Sequence, residues 1–189
     1  IPGGSGGGRG SVPGGPDAGG TGVQPTQNPT YSPLTPFNQY GYPGGAYPPT
    51  STGYMPAGGG GAGAAGGDGA QTPGGAIGGV GVQIPWAPGP IIPDMSPLTP
   101  HMGPTDQYYA GGGSAGSYSS PSTPQPAAYG GGGQGSAPPA SQYSTAGIDW
   151  LGGGGGGRHP STNKDAPIMG NSPTAGGKGI CIIRITAPS

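Results

Sequence analysis

The most specific chemistry in the sequence lies in hydroxyl groups placed directly before proline. Ser-Pro-x-Thr-Pro occurs three times, as Ser32–Pro33–Leu34–Thr35–Pro36, Ser96–Pro97–Leu98–Thr99–Pro100 and Ser120–Pro121–Ser122–Thr123–Pro124. Thr72–Pro73 and Ser172–Pro173 add two isolated sites. The ring of a following proline pushes the preceding residue out of the helical region and holds it extended, the shape in which proline-directed kinases and phospho-binding modules read a peptide. Ser32, Thr35, Thr72, Ser96, Thr99, Ser120, Thr123 and Ser172 are therefore candidate phosphorylation sites, with a proline-directed kinase as the expected partner. Each phosphate adds about −1.5 to −2 charges. In a chain of formal net charge −1, two or three of them reset the electrostatics of the whole molecule. The competing reading is plain turn chemistry, since the same dipeptides also mark loops.

A second candidate is Ile148–Asp149–Trp150–Leu151, an aromatic and two aliphatic groups beside one acid. Such a quartet suits a short docking motif that folds on contact with a groove in a coactivator-type protein. The segment from Ile84–Pro85–Trp86 to Met102 offers a second docking stretch, and its proline density requires it to bind extended.

Other constellations fail on spacing. His101, His159 and Cys181 lie far apart with no metal-ligand pattern between them. Ser, His and Asp are all present, but a triad needs a rigid scaffold to hold its geometry. Gly176–Gly177–Lys178–Gly179 lacks the upstream Gly of a phosphate loop, because Ser172 stands there, and has Gly179 where a Mg²⁺-binding hydroxyl belongs. The expectation is a protein that is not an enzyme and has no cofactor and no metal. Gly8–Arg9–Gly10 is a single copy of an element that binds RNA in arrays, and five Lys/Arg form no basic patch. Direct nucleic-acid binding is not expected. Asn28–Pro29–Thr30 is not a glycosylation site because Pro occupies its middle position. Cys181 is the one cysteine, so no internal disulfide framework exists.

Tyr31–Ser32–Pro33–Leu34–Thr35–Pro36 resembles the Y-S-P-x-S-P pattern of the RNA polymerase II C-terminal tail. Met95 replaces the Tyr in the second copy, Ser119 separates Tyr118 from Ser120 in the third, and no tandem heptad follows. A polymerase tail is therefore excluded. The remaining likeness is to the Ser/Thr-Pro, Tyr and Gly-rich activation or linker regions of animal transcription factors. That resemblance implies a disordered interaction region of a nuclear regulator, tuned by proline-directed phosphorylation.

The elements that must carry these groups are set by composition. The 189 residues include 50 Gly and 28 Pro, and Leu, Ile, Val and Phe together number only 19. Gly has no side chain to bury and loses the most backbone freedom on ordering, so these apolar groups are too few to offset the cost of a self-contained core. The expected fold class is intrinsically disordered, irregular coil with polyproline II stretches and no globular domain. Nowhere do 12 residues run free of Gly or Pro, which excludes helix. One short strand is expected over 180–186, where Ile180, Ile182, Ile183 and Ile185 cluster and pairing could begin.

Six segments follow from shifts in composition. They are a Gly-rich linker at 1–22, a Pro/Tyr/Thr-rich segment at 23–56 and a Gly/Ala linker at 57–81. Next come the Pro-rich apolar docking segment at 82–109, a Gly/Ser/Tyr-rich region at 110–157 containing the 147–151 motif, and a polar tail at 158–189 with the strand. A bundle of polyproline II strands calls for regular Gly spacing, which is not found.

No apolar run approaches the length of a membrane span or a signal-peptide core, and no membrane partner is expected. The chain opens on Ile1 rather than Met, which reads as a fragment or a processed product. Near-zero net charge and ten Tyr favour self-association over a swollen coil. They support a rival to the nuclear reading: an extracellular, self-assembling structural protein of the cuticle, cell wall, silk or filament type. The absence of a tandem repeat of fixed period weighs against it.

Overall fold

A computed structural model describes residues 20–21, 41–47, 56–69, 76–87, 107–116, 125–136, 144–157, 175–181, 183 and 185. Among them there is no helix, and strand is confined to β1 (Val82–Gln83) and β2 (Tyr108–Tyr109). The two pair antiparallel, Val82 opposite Tyr109 and Gln83 opposite Tyr108. The rest is irregular in the sense that no ladder or helical hydrogen-bond pattern applies. It has an order of its own, which the backbone bonds reveal.

The run 107–116 shows the rule. Gly111 and Ser114 donate to Gly130 and Gly133, each at 2.9 Å, and accept from Gly154 and Gly157. One residue further on, Gly112 and Ala115 donate to Gly79 (2.7 Å) and Ala76 (2.8 Å). Ala110 and Gly113 accept from Ala62 (2.8 Å) and Gly59 (2.9 Å). Each direction recurs every third residue, the period of a polyproline II helix, which makes no bonds within itself. The run 56–63 repeats the pattern: Gly58 and Gly61 donate to Gly67 and Ala64, while Gly59 and Ala62 donate to the 107–116 run.

These bonds also give direction. The runs 41–47, 64–69, 107–116, 132–136 and 152–157 point one way; 56–62, 76–83, 144–148 and 175–178 point the other. Chain reversals at 62–64, 84–87, 128–132 and 148–152 gather at a single end, called here the turn end.

Glycine permits this arrangement because backbone packs directly on backbone. An ideal Cβ on Gly112 would stand 2.7 Å from Gly59 C and 2.8 Å from Gly60 O, and one on Gly113 would overlap the Gly155 carbonyl. Regular Gly spacing is absent, and the structure does not need it. A block such as 152–157, all glycine, satisfies a three-residue period in any phase.

Interior side chains are correspondingly small. Of the nine buried hydrophobic residues among those described, six are Ala (57, 62, 76, 87, 115 and 128), joined by Tyr47, Tyr109 and Leu151. This is not the core of a globular domain. Ser114, 1 % exposed, is the main buried polar group. Its hydroxyl donates to Pro126 O at 2.6 Å and accepts from Gly78 N at 3.0 Å, so burial leaves it satisfied.

The strand expected over 180–186 is not formed by its described members. Ile180, Cys181, Ile183 and Ile185 belong to no strand and are exposed. A β-ladder requires a neighbour, and an added Cβ on Gly179, just before them, would meet nothing within 4 Å.

Candidate interaction site at the turn end

Among the described residues, the turn end carries the one cluster of larger side chains. Ala87, Tyr109 and Leu151 are buried together, with Ile84 and Ile148 packed against them. Each arrives by a local device. Ile84 N donates to Gln107 O, Ala87 N closes a turn on Ile84 O, and the Gln107 side-chain amide donates to Ala87 O. Ile148 N donates to Gly131 O, and Ala110 N donates to Leu151 O at 2.7 Å.

Above this cluster, aromatic rings occupy the turn tips. Trp86 is 48 % exposed, Tyr129 46 % and Trp150 53 %. Tyr108 stacks on Tyr129 with ring centroids 5.6 Å apart and planes inclined by 28°, an offset geometry that adds about 0.5–1.5 kcal/mol beyond burial.

Two non-glycine residues here sit in the left-handed region, Ala110 at φ 57° and Trp150 at φ 68°. Each such residue costs about 1–2 kcal/mol. The bond from Ala110 N to Leu151 O ties the two positions together. Backbone strain of this kind concentrates at functional sites, and this end of the molecule is where it occurs among the described residues.

Lys178 pins the 148–152 turn from outside. Its Nζ lies 2.8 Å from Asp149 Oδ2 and 5.5 Å from the centre of the Trp150 ring. Its backbone N donates to Asp149 Oδ1 at 2.9 Å, and its carbonyl accepts from Gly152 N at 3.0 Å. The two hydrogen bonds from Lys178 hold the Asp149 carboxyl below its ordinary range. Burial pushes the Tyr109 phenol above its ordinary value.

The docking quartet is thus placed as a turn. Trp150 and Asp149 face solvent, Ile148 is half-buried and Leu151 is buried. The eight candidate phosphorylation sites, Ser32, Thr35, Thr72, Ser96, Thr99, Ser120, Thr123 and Ser172, lie outside the described residues, as do His101 and His159. Cys181 is free and exposed. Among the described residues no three His, Cys, Asp or Glu come together as metal ligands, and no helix is long and apolar enough to cross a membrane.

The sequence reading passes over Tyr129 and meets Lys178 only in the failed phosphate-loop pattern. A signal for Tyr129 exists, because large side chains stand just before glycine blocks at Tyr108–Tyr109–Ala110, at Tyr129 and at Trp150–Leu151. Lys178 has no comparable mark, since its partners lie 28 and 29 positions away.

The arrangement at this end is one of exposed rings over a small buried cluster. Neither a curated protein nor a solved structure matches the chain. A family model for a glycine-rich domain matches residues 1–186, and the chain belongs to that family of glycine-rich domains.

Proposed function

We propose that the chain is a self-associating structural protein that builds material from polyproline II glycine runs and joins through exposed aromatic groups. The observation that supports this most is the three-residue rotation of backbone hydrogen bonds in 107–116, which engages four other runs at once. Hydrogen bonding of that kind is available to any further glycine run, from the same chain or from another. Low net charge leaves little repulsion between copies. An extracellular setting accompanies this reading, which calls on no catalysis and no cofactor. Sedimentation velocity across a hundredfold range of concentration tests it. The expected result is a rise in mean size with concentration, and a chain that stays monomeric throughout overturns it.

A second reading is favoured by the recurrence of Ser-Pro-x-Thr-Pro, three copies in one chain, and by the exposure of Trp150 at its turn. It is a nuclear interaction region that a proline-directed kinase modifies, with the Trp150 turn meeting a coactivator-type partner. Kinase treatment followed by mass spectrometry is the test. Incorporation at Ser32, Thr35, Ser96, Thr99, Ser120 or Thr123 supports it, and none at any of them removes it.

A further inference from the structure

The geometry points to the turn end as a binding site for a Pro-x-x-Pro segment of a second copy of this chain, an inference that rests on the self-association reading and names its contact. Each Ser-Pro-x-Thr-Pro copy contains a Pro-x-x-Pro core: Pro33–Leu34–Thr35–Pro36, Pro97–Leu98–Thr99–Pro100 and Pro121–Ser122–Thr123–Pro124. Such segments favour polyproline II, and they dock on surfaces lined by aromatic rings because little conformational freedom is lost on binding. The turn end supplies those rings, with Tyr108 and Tyr129 stacked and Trp86 and Trp150 at neighbouring turn tips. Among the described residues there, Asp149 and Lys178 offset each other's charge, which suits the uncharged Pro-Leu-Thr-Pro core.

The occupant follows from where the chain leaves and returns. Residues 88–106 depart from Ala87 and come back at Gln107, whose side-chain amide bonds Ala87 O, so both anchors lie at the turn end. Pro97–Leu98–Thr99–Pro100 sits mid-segment, ten residues from Ala87 and seven from Gln107. The shorter arm allows a reach of up to about 25 Å. Two molecules meeting turn end to turn end can therefore each offer this motif to the other's rings. The exchange is reciprocal, as in an isologous two-fold pair. Three motifs per chain against one aromatic end leave at least two in excess, so further copies can be recruited.

The test uses the full chain and a synthetic peptide spanning 94–102. Both Trp residues of the protein lie at this end, and the peptide contains neither Trp nor Tyr, so intrinsic Trp fluorescence reads the site directly. A saturable fluorescence change is expected, together with loss of the self-associated species in sedimentation as peptide competes. A peptide with Pro97→Ala and Pro100→Ala should bind at least tenfold more weakly. Tyr129→Ala, an exposed side chain whose loss leaves the buried cluster intact, should weaken binding at least fivefold. Ile77→Ala, exposed and away from the turn end, should leave it unchanged. Self-association with no saturable peptide response overturns this inference and leaves the structural reading standing. Peptide binding by a chain that is monomeric at every concentration removes the second copy as occupant.

Discussion

Replacing Gly112 with Ala isolates what holds the runs together. The new Cβ would come within 2.7 Å of Gly59 C and 2.8 Å of Gly60 O, where non-bonded carbon contacts settle at about 3.5–4.0 Å. The obstacle is backbone and cannot swing aside, so the 56–63 run must retreat by roughly 1 Å. Its bonds to this run, Gly59 N to Gly113 O at 2.9 Å and Ala62 N to Ala110 O at 2.8 Å, would then pass the useful range. Two such bonds contribute about 1–3 kcal/mol together. Ala also restricts the unfolded chain, which returns about 0.4–1 kcal/mol. The net loss is about 1–2 kcal/mol, or roughly tenfold in local opening.

Gly179→Ala is the matched control, since nothing lies within 4 Å of its added Cβ and neither position has positive φ. There the unfolded-state effect stands alone, and the change should be neutral or slightly stabilising. Amide hydrogen exchange at Gly59 and Ala62, the two donors at risk, reads the difference. About tenfold faster exchange is expected in Gly112→Ala and none in Gly179→Ala. Equal behaviour of the two variants would refute backbone-on-backbone packing as the source of order.

Three further outcomes follow from the turn end. Leu151→Ala removes the largest fully buried side chain among the described residues and should destabilise by about 2–3 kcal/mol, measured as a shift in the denaturant midpoint followed by Trp fluorescence. Because Lys178 lowers the Asp149 pKa, the contact between them is fully present above the ordinary aspartate value and is lost as pH falls through the lowered one. Chemical shifts of the Lys178 and Gly152 amides should therefore move together below about pH 4, and Asp149→Asn should abolish that step. The raised Tyr109 pKa acts in the opposite sense: its contribution is intact below the ordinary value of 10.0 and is lost as pH rises through the elevated one. Alkaline titration should show phenolate absorbance still developing above the ordinary tyrosine value, and Tyr109→Phe should remove that late component.

Much of the fold was legible in the residues, and what escaped has physical reasons. The Gly and Pro content rules out helix, and the described chain has none. Polyproline II was expected where Pro stands, but its three-residue period appears in 107–116, which holds no Pro. The association of runs was not legible because a search for periodic Gly assumes that side chains must be spaced apart. In blocks such as 111–113 and 152–157 there are no side chains to space. The Ile-rich segment near residue 183 shows the opposite error: its residue types suit a strand, but strand formation depends on a partner that sequence does not specify. At the candidate site, Trp150 was chosen for its chemistry and does lie exposed. That Leu151 would be buried one position later depends on the Gly131 and Ala110 contacts, which come from distant parts of the chain.

The glycine block at 152–157 has a consequence for how alignment is kept. Every position in it looks the same to its neighbours, so a slip by one residue would exchange identical surfaces and meet no steric objection from the block itself. Alignment must be imposed from the block's ends, and Leu151, clustered with Tyr109 and Ala87, is the peg at one of them. Lengthening the block by a glycine should therefore be absorbed beyond residue 157, with the peg still in its hole. Moving the peg itself would shift the whole rail.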